Sequence, residues 1–419
     1  MPGTVAEAIE WGIFCAMTRA ASVAEVVANG LCVGCGLCEA VTAHRVTMRM
    51  NERGTLRPHQ VDTFTSEEER VILGACPGTI AQSRLGSEGI DDEIWGRYSR
   101  MAYAWAGDPD VRFEAATGGV LTALAMHLVS SGVVDFVLQV EADPKHPMRS
   151  RWVMNETAEA VRASAGSRYG PTAPLAGLVD ALDRDQSFAL VAKPCDLGAV
   201  HAYSSIDPRV DRLCVARLTM VCGGQSSLEK SVDVLDDLGL TEPEVSLFRY
   251  RGFGNPGPTR VETTSGAAFE LSYNQMWDDQ AGWKLESRCT LCPDALGETA
   301  DVAAGDVWPG GGPTGEDEGF NGIIVRTEAG AQFVSAAVDA GAVVLGDPIT
   351  PREYDEFQPH QVRKKVALSA RNEALESAGK PTISSSDLRV GQLGARMTDD
   401  ARHREIEGTS VRISAGRYS

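Results

Sequence analysis

Along the middle of the chain, apolar residues switch repeatedly between two patterns, short unbroken runs and stretches spaced three or four apart. Residues 112–140 show the switch once: ATGGV reads as a loop, LTALAMHLVSSG carries apolar residues at helical spacing, and VVDFVLQV reads as a strand. Residues 188–200 and 214–238 repeat it, opening on the apolar runs FALVA (188–192) and CVARLTMV (214–221). Residues 321–345 do so again, as NGIIVRT, the helical pattern EAGAQFVSAAVDAG and AVVLGD. Strands alternating with helices predict an α/β fold around a mainly parallel sheet. There is no internal repeat and no low-complexity tract.

Residues 1 to about 95 follow no such alternation. A helix-like lead-in precedes a cysteine triplet and a Cys-Pro pair, and the polar stretch SRLGSEGIDDE (83–93) reads as a linker. The 419 residues, 43% hydrophobic and 23% charged, have ordinary globular composition and length for two or three domains. A net charge of -19 repels phosphate backbones and anionic lipid, so neither nucleic acid nor a membrane is expected as a partner. Residues 361–419 run against this trend, with eleven Lys/Arg against seven Asp/Glu. No apolar run reaches the roughly 18–20 residues of a membrane span. The opening MPGTVAEAIEW lacks a basic cluster ahead of an apolar core, so no secretory signal is expected and the protein is placed in the cytoplasm.

Ten cysteines in this length are too sparse for a disulfide scaffold, and their clustering points to metal. Cys32, Cys35 and Cys38 form C-x2-C-x2-C, with Gly34 and Gly36 between them letting the backbone curl around one centre. That spacing, completed by a remote Cys-Pro, is the grip of a ferredoxin-type 4Fe-4S cluster, and Cys76-Pro77 supplies the fourth thiolate. Zinc is the alternative, but zinc usually takes two paired knuckles. A second group is Cys195, Cys222, Cys289 and Cys292. Cys195 and Cys222 follow two apolar strands, so parallel pairing would bring both to one sheet edge. Four thiolates from three segments then suit a second 4Fe-4S site, although C-x2-C also fits a redox disulfide or a zinc knuckle, and Cys195 and Cys222 also fit small buried residues. Cys15 and Cys214 read as core.

For a flavin, Thr117, Gly118 and Gly119 open a helix whose free N–H groups and positive dipole end could meet a phosphate, although a plain turn fits as well. Residues 166–171, GSRYGP, offer Arg168 for phosphate and Tyr169 as a face for a flat ring, with a surface loop as the alternative. Lys193 and Pro194 precede Cys195, and a lysine there would hold the negative charge that builds on a reduced flavin, unless it is a solvated charge.

In order, LCVGCGLCEA with ACPG, ATGGVLTAL, GSRYGP, VAKPCDLGAV, VCGGQSS and CTLCPDALGETADVAAGDVW resemble the family of beta subunits of coenzyme F(420)-reducing hydrogenase and dehydrogenase, from about residue 28 to at least 350. The same family looks like the source of ferredoxin-dependent 7-hydroxymethyl chlorophyll a reductase and of a divinyl chlorophyllide reductase. The resemblance implies FAD and two 4Fe-4S clusters, one on Cys32, Cys35, Cys38 and Cys76 and the other on Cys195, Cys222, Cys289 and Cys292. It implies flavin contacts at Thr117, Gly118, Gly119, Ser167, Arg168 and Tyr169; the family's loop before the cysteine is filled here by Lys193 and Pro194, expected to contact the flavin, with Lys193 also the expected catalytic residue. Many members carry Gly-Thr-Pro-Cys where this chain has Ala192, Lys193, Pro194 and Cys195. Gly305 and Asp306 match the family's Gly-Asp, as a brace for the second cluster loop or a turn.

The implied organisation is an N-terminal ferredoxin-like 4Fe-4S module (1–95), a mainly parallel flavin domain whose N-terminal part (96–185) is followed by a part with the second cluster (186–350), and a C-terminal extension (351–419). The expected function is an oxidoreductase that couples two-electron chemistry of an organic substrate or deazaflavin, at FAD, to one-electron transfer through the clusters. Its one-electron partner would be ferredoxin or a partner redox subunit, with self-assembly into a homo-oligomer left open. A non-catalytic electron-transfer subunit and a zinc-bound structural or regulatory protein are the alternatives.

Overall fold

The apolar runs at 188–192 and 214–221 settle side by side, because strands covered on both faces bury most of their residues. The computed structural model describes residues 19–60, 63–84, 89–279 and 281–418. In it these runs belong to an eight-stranded sheet: β1 (Arg100–Ala106), β2 (Phe136–Asp143), β3 (His146–Asn155), β4 (Phe188–Val191), β5 (Cys214–Met220), β6 (Val302–Asp306), β7 (Asn321–Val325) and β8 (Val343–Pro348). Their spatial order is β8-β1-β7-β6-β5-β4-β2-β3.

The parallel pairing holds for the central strands β6, β5, β4 and β2. Both flanks are antiparallel, with β3 on β2 and with β7, β1 and β8 beyond β6. Two connections explain the departure. Only residues 144 and 145 separate β2 from β3, too few for the crossover that a parallel pair needs. β7 and β8 do run the same way around an intervening helix, but β1, from far earlier in the chain, inserts between them.

Helix α1 (Val120–Ser130) packs Val120, Ala123, Leu124 and Leu128 on one face of the sheet, joined by α2 (Glu328–Asp339). Fully burying a side chain of this size contributes about 1.5–3 kcal/mol. The other face carries α3 (Pro194–Ser204) together with Val33, Leu37 and Ala40, so the first cysteine segment is built into the sheet's own core. Residues of the C-terminal extension, Leu368, Leu375 and Ile383, share a further core with Val26, Leu31 and Leu291.

The stretch expected as a linker is tethered to the fold where described, although Gly89, Ile90, Asp91 and Glu93 stay exposed. Ser83 donates to Glu298 and Arg84 pairs with Asp301, while Ile90–Asp92 pairs with Gly96–Tyr98 in a short ribbon. Polar composition reads as solvent-facing only until partners far along the chain take up the polar groups. Cys214 is buried at the start of β5, while Cys15 and the lead-in lie outside the described residues. Among the described residues no helix is long and apolar enough to cross a membrane.

Candidate functional site

A cavity of about 300 Å³ opens where β4, β5 and β6 end. Parallel strands deliver their following loops to one edge, which is where open α/β sheets bind ligands. Lys193, Cys222 and Asp306 line it from these three strand ends, the start of α1 faces them, and Tyr273, Trp277 and Trp308 add aromatic surface. The volume lies at the lower end of the range for small-molecule and cofactor sites.

The start of α1 departs from expectation. Gly118 does not line the cavity: its N–H and that of Val120 both donate to Asn321 Oδ1, at 3.1 and 3.2 Å. Gly119 is required by the backbone, with φ +71 and with Val111 O only 2.9 Å from where a Cβ would stand. The N–H groups of Leu121 and Thr122, both cavity residues, meet no protein acceptor among the described residues. These are the donors, with the helix dipole behind them, that fit a phosphate.

Arg168 also departs. It lines the cavity, but Nε donates to Ser150 Oγ, Nη1 to Phe248 O, and Nη2 to Pro147 O and Arg149 O, at 2.8–3.1 Å. Its guanidinium pins strands together, with four of its five N–H groups already spent on protein acceptors. Tyr169 lines the cavity with its ring already 4.5 Å from that of Trp277, and Ser167 turns toward the cavity beside it.

Sequence reasoning missed Arg251. It is 2% exposed and donates to Tyr169 Oη and Asn255 Oδ1, pairs with Asp306 at 3.2 Å, and lies 4.7 Å from the Trp308 ring centre. Thr117 donates to the same Asp306, so the expected loop residue and the Gly-Asp pair meet through an arginine that neither motif contains. Asp306 ends β6 and is not in a turn. The available signal was a lone arginine in the Gly/Pro-rich run RGFGNPGP. The C-terminal extension contributes Gln358 and His360 to the wall, with Gln358 Nε2 donating to Asp306 O at 2.6 Å, and no local pattern announced it.

Lys193 is buried. Its Nζ donates to Thr172 and pairs with Asp196 Oδ2 at 2.9 Å. Burial alone would lower its pKa, but the carboxylate and the neighbouring thiols outweigh that and raise it. Asp196 itself is fully buried, and among the described residues its Oδ1 has no hydrogen-bond partner at the cavity wall. An unpaired acceptor in such a place suits a ligand N–H. Pro194 lies away from this cavity, against the second cysteine set.

The cysteines fall into two groups. Gly34 and Gly36, with φ +71 and +93, curl the first loop, and Gly34 N–H donates to Cys32 Sγ just as Gly78 N–H donates to Cys76 Sγ. Burial raises the thiols of Cys32, Cys35 and Cys38 and takes Cys76 to about 12, and these four thiols act on one another electrostatically. Cys195 in the first turn of α3, Cys222 after β5, and Cys289 and Cys292 around the short helix Ser287–Leu291 line one small cavity. There too burial raises the thiols of Cys195, Cys222 and Cys289, taking Cys222 to about 12, with Lys364 pulling the other way on Cys222 and Cys289.

Among the described residues no three His, Cys, Asp or Glu side chains are drawn to metal-ion geometry. The donor chemistry nonetheless fits clusters. All eight thiols are free of disulfides, and soft sulfur in groups of four, with N–H donors at the sulfurs, suits iron–sulfur ligation.

The family models for the coenzyme F420 hydrogenase/dehydrogenase beta subunit match residues 101–180 with its N-terminal part and 185–350 with its C-terminal part. The chain is similar to F420-dependent formate dehydrogenase 1 subunit beta of Methanococcus maripaludis, 24% identical over 60% of this chain and 62% of that one. It is similar to a subunit of the F(420)H(2) dehydrogenase of Methanosarcina mazei, 22% identical over 78% and 87%. A coenzyme F420-dependent sulfite reductase of Methanocaldococcus jannaschii is 22% identical over 83% of this chain and 52% of its own length. The chain thus spans less than two thirds of the first and third of these. A chain of the F420-reducing NiFe hydrogenase complex of Methanosarcina barkeri shares the fold, with a TM-score of 0.55 at 19% identity over 70% of this chain and 98% of that one.

Proposed function

The chain belongs to the family of coenzyme F420 hydrogenase/dehydrogenase beta subunits, and from that premise we propose that it is an FAD- and iron–sulfur-dependent oxidoreductase. Its substrate is an organic molecule or a deazaflavin, and its one-electron partner is a ferredoxin or a partner redox subunit. The observation that carries the reading is that the cavity at the strand ends and the four-cysteine cavity share Lys193, Cys222, Gly224 and Gln225. A ring in the first would stand one side chain from the sulfurs of the second.

In this reading Cys32, Cys35, Cys38 and Cys76 hold one 4Fe-4S cluster in a module of residues 1–95, and Cys195, Cys222, Cys289 and Cys292 hold the other. When bound, the flavin supplies exchange between a two-electron step with substrate and one-electron steps with the clusters. The N–H groups of Leu121 and Thr122 bind a phosphate, Asp196 Oδ1 accepts an N–H from the ring, and Tyr273 and Trp308 bound the ring's space. Lys193 supplies a fixed cation that favours added electrons nearby.

Anaerobically prepared protein should contain flavin and about eight iron and eight sulfide per chain, and Cys35→Ala should remove roughly half of the iron with flavin retained. Zinc in place of iron would sink the reading. The names of the relatives, as subunits, favour a second reading, a non-catalytic wiring subunit. Oxidation of reduced coenzyme F420 with a viologen acceptor and no partner present separates the two.

A further inference from the structure

Arg288 lies between the two cysteine groups. It is 2% exposed, on the short helix Ser287–Leu291 that carries Cys289 and leads into Cys292. Its side chain reaches back to the first group: Nε and Nη2 both donate to Pro77 O, at 3.0 and 2.8 Å, and Pro77 follows Cys76. Nη1 donates to Leu291 O at 3.3 Å, beside Cys292. It lines both the small cavity that Pro77 shares with Cys195 and the cavity of the second four cysteines.

All these bonds go to backbone carbonyls, and none of the ion pairs among the described residues includes Arg288. A guanidinium stays charged, and a buried charge without a counter-charge is costly. Of the other buried arginines, 217, 251 and 371 each pair with a carboxylate, while Arg326, like Arg288, donates to backbone carbonyls. Carbonyl dipoles offset part of the cost for Arg288, and Asp294, a buried carboxylate, lines the same two small cavities without pairing with it, so a further anion beside the guanidinium would be stabilised. A 4Fe-4S core held by four thiolates carries net negative charge, and Arg288 lines the cavity of the second four cysteines while reaching Pro77, next to Cys76 of the first four.

We propose that Arg288 is a positioning residue that ties the two cysteine groups together and gives two sulfur-ligated clusters a shared buried counter-charge. This rests on the reading of both groups as cluster ligands. The linkage runs from Cys76 through the Pro77 carbonyl and the guanidinium to the backbone of Cys289, so one side chain sets the separation of the two centres. Each reduction adds one electron to a cluster and leaves all sulfur ligands in place. The added charge is stabilised by Arg288 on either side.

The test compares wild type, Arg288→Met and Arg288→Lys, each prepared anaerobically, assayed for iron and sulfide, titrated with dithionite and followed by electron spin resonance. With both clusters reduced, wild type should show two signals broadened by each other. Arg288→Met should keep its iron, lower both midpoint potentials and lose the broadening. Arg288→Lys keeps the charge without the two-pronged grip on Pro77, so it should restore the potentials but not the broadening. Full iron content with unshifted potentials and unchanged broadening in Arg288→Met overturns the proposal. Should that variant fail to fold, wild-type broadening in Arg288→Lys overturns it equally. Wild type without iron removes the ligand reading itself, an outcome the iron assay shows before any variant is compared.

Discussion

Arg251 and Asp306 face each other at 3.2 Å across the floor of the cavity, the guanidinium fully buried and the carboxylate at the end of β6. Thr117, Tyr169 and Asn255 close around the same guanidinium, so four segments distant in sequence depend on one pair. Removing one partner of a buried pair leaves the other uncompensated, whereas removing both is often near neutral. Asp306→Asn should lower the unfolding free energy by about 3 kcal/mol. The double variant with Arg251→Met should recover most of it, both read from urea denaturation midpoints.

Lys193 and Asp196 obey the same logic closer to the proposed chemistry. Asp196 has no exposure, and among the described residues Lys193 is the cation paired with it. Lys193→Met should therefore destabilise the fold by about 3 kcal/mol, and adding Asp196→Asn should restore it. The flavin or second-cluster potential should fall in Lys193→Met and recover in part in the double variant, because cation and carboxylate act on added electrons with opposite sign. Thermal melts paired with a redox titration check both outcomes; a potential unshifted in Lys193→Met would remove the lysine from the redox chemistry.

At the start of α1, a side chain at Gly119 would meet Val111 O and would have to hold φ +71. Gly119→Ala should destabilise the cofactor-free protein by about 1–2 kcal/mol, read as a lower melting temperature. Asn321→Ala strips the acceptor from Gly118 and Val120 and should cost about 1–3 kcal/mol. Flavin lost without loss of stability would place these residues in direct contact with it instead.

Acid should act through Glu298. Burial alone would raise its pKa, but Lys365, Arg389 and Arg326 draw it down to about 2, against an ordinary value of 4.5. A carboxylate whose pKa is depressed on folding stabilises the fold above its unfolded value, and that contribution is lost as pH falls from about 4.5 toward 2. The amount is about 3 kcal/mol. Glu298→Gln should flatten this part of the stability profile between pH 5 and 2, measured by urea denaturation at each pH.

Local features are legible in the sequence because their physics is local. The spacing of Cys32, Cys35 and Cys38 around two glycines describes one loop, and the runs at 188–192 and 214–221 announce buried neighbouring strands whatever surrounds them. The meeting of Cys195 and Cys222 follows from those strands being parallel. Arg168 misleads because its acceptors, Pro147 O, Arg149 O and Phe248 O, are backbone atoms that composition cannot report. Gly118 misleads because Asn321, about two hundred residues away, takes the donor that looks free. Arg251, Arg288 and the wall residue Gln358 are invisible for the same reason: each works through a partner far along the chain, Asp306 for Arg251 and Gln358 and Pro77 for Arg288. The sequence by itself determined which elements form and which chemical groups they carry. Tertiary structure alone decided which donors are already spent, because hydrogen bonds and buried charges are settled by distance in space and not along the chain.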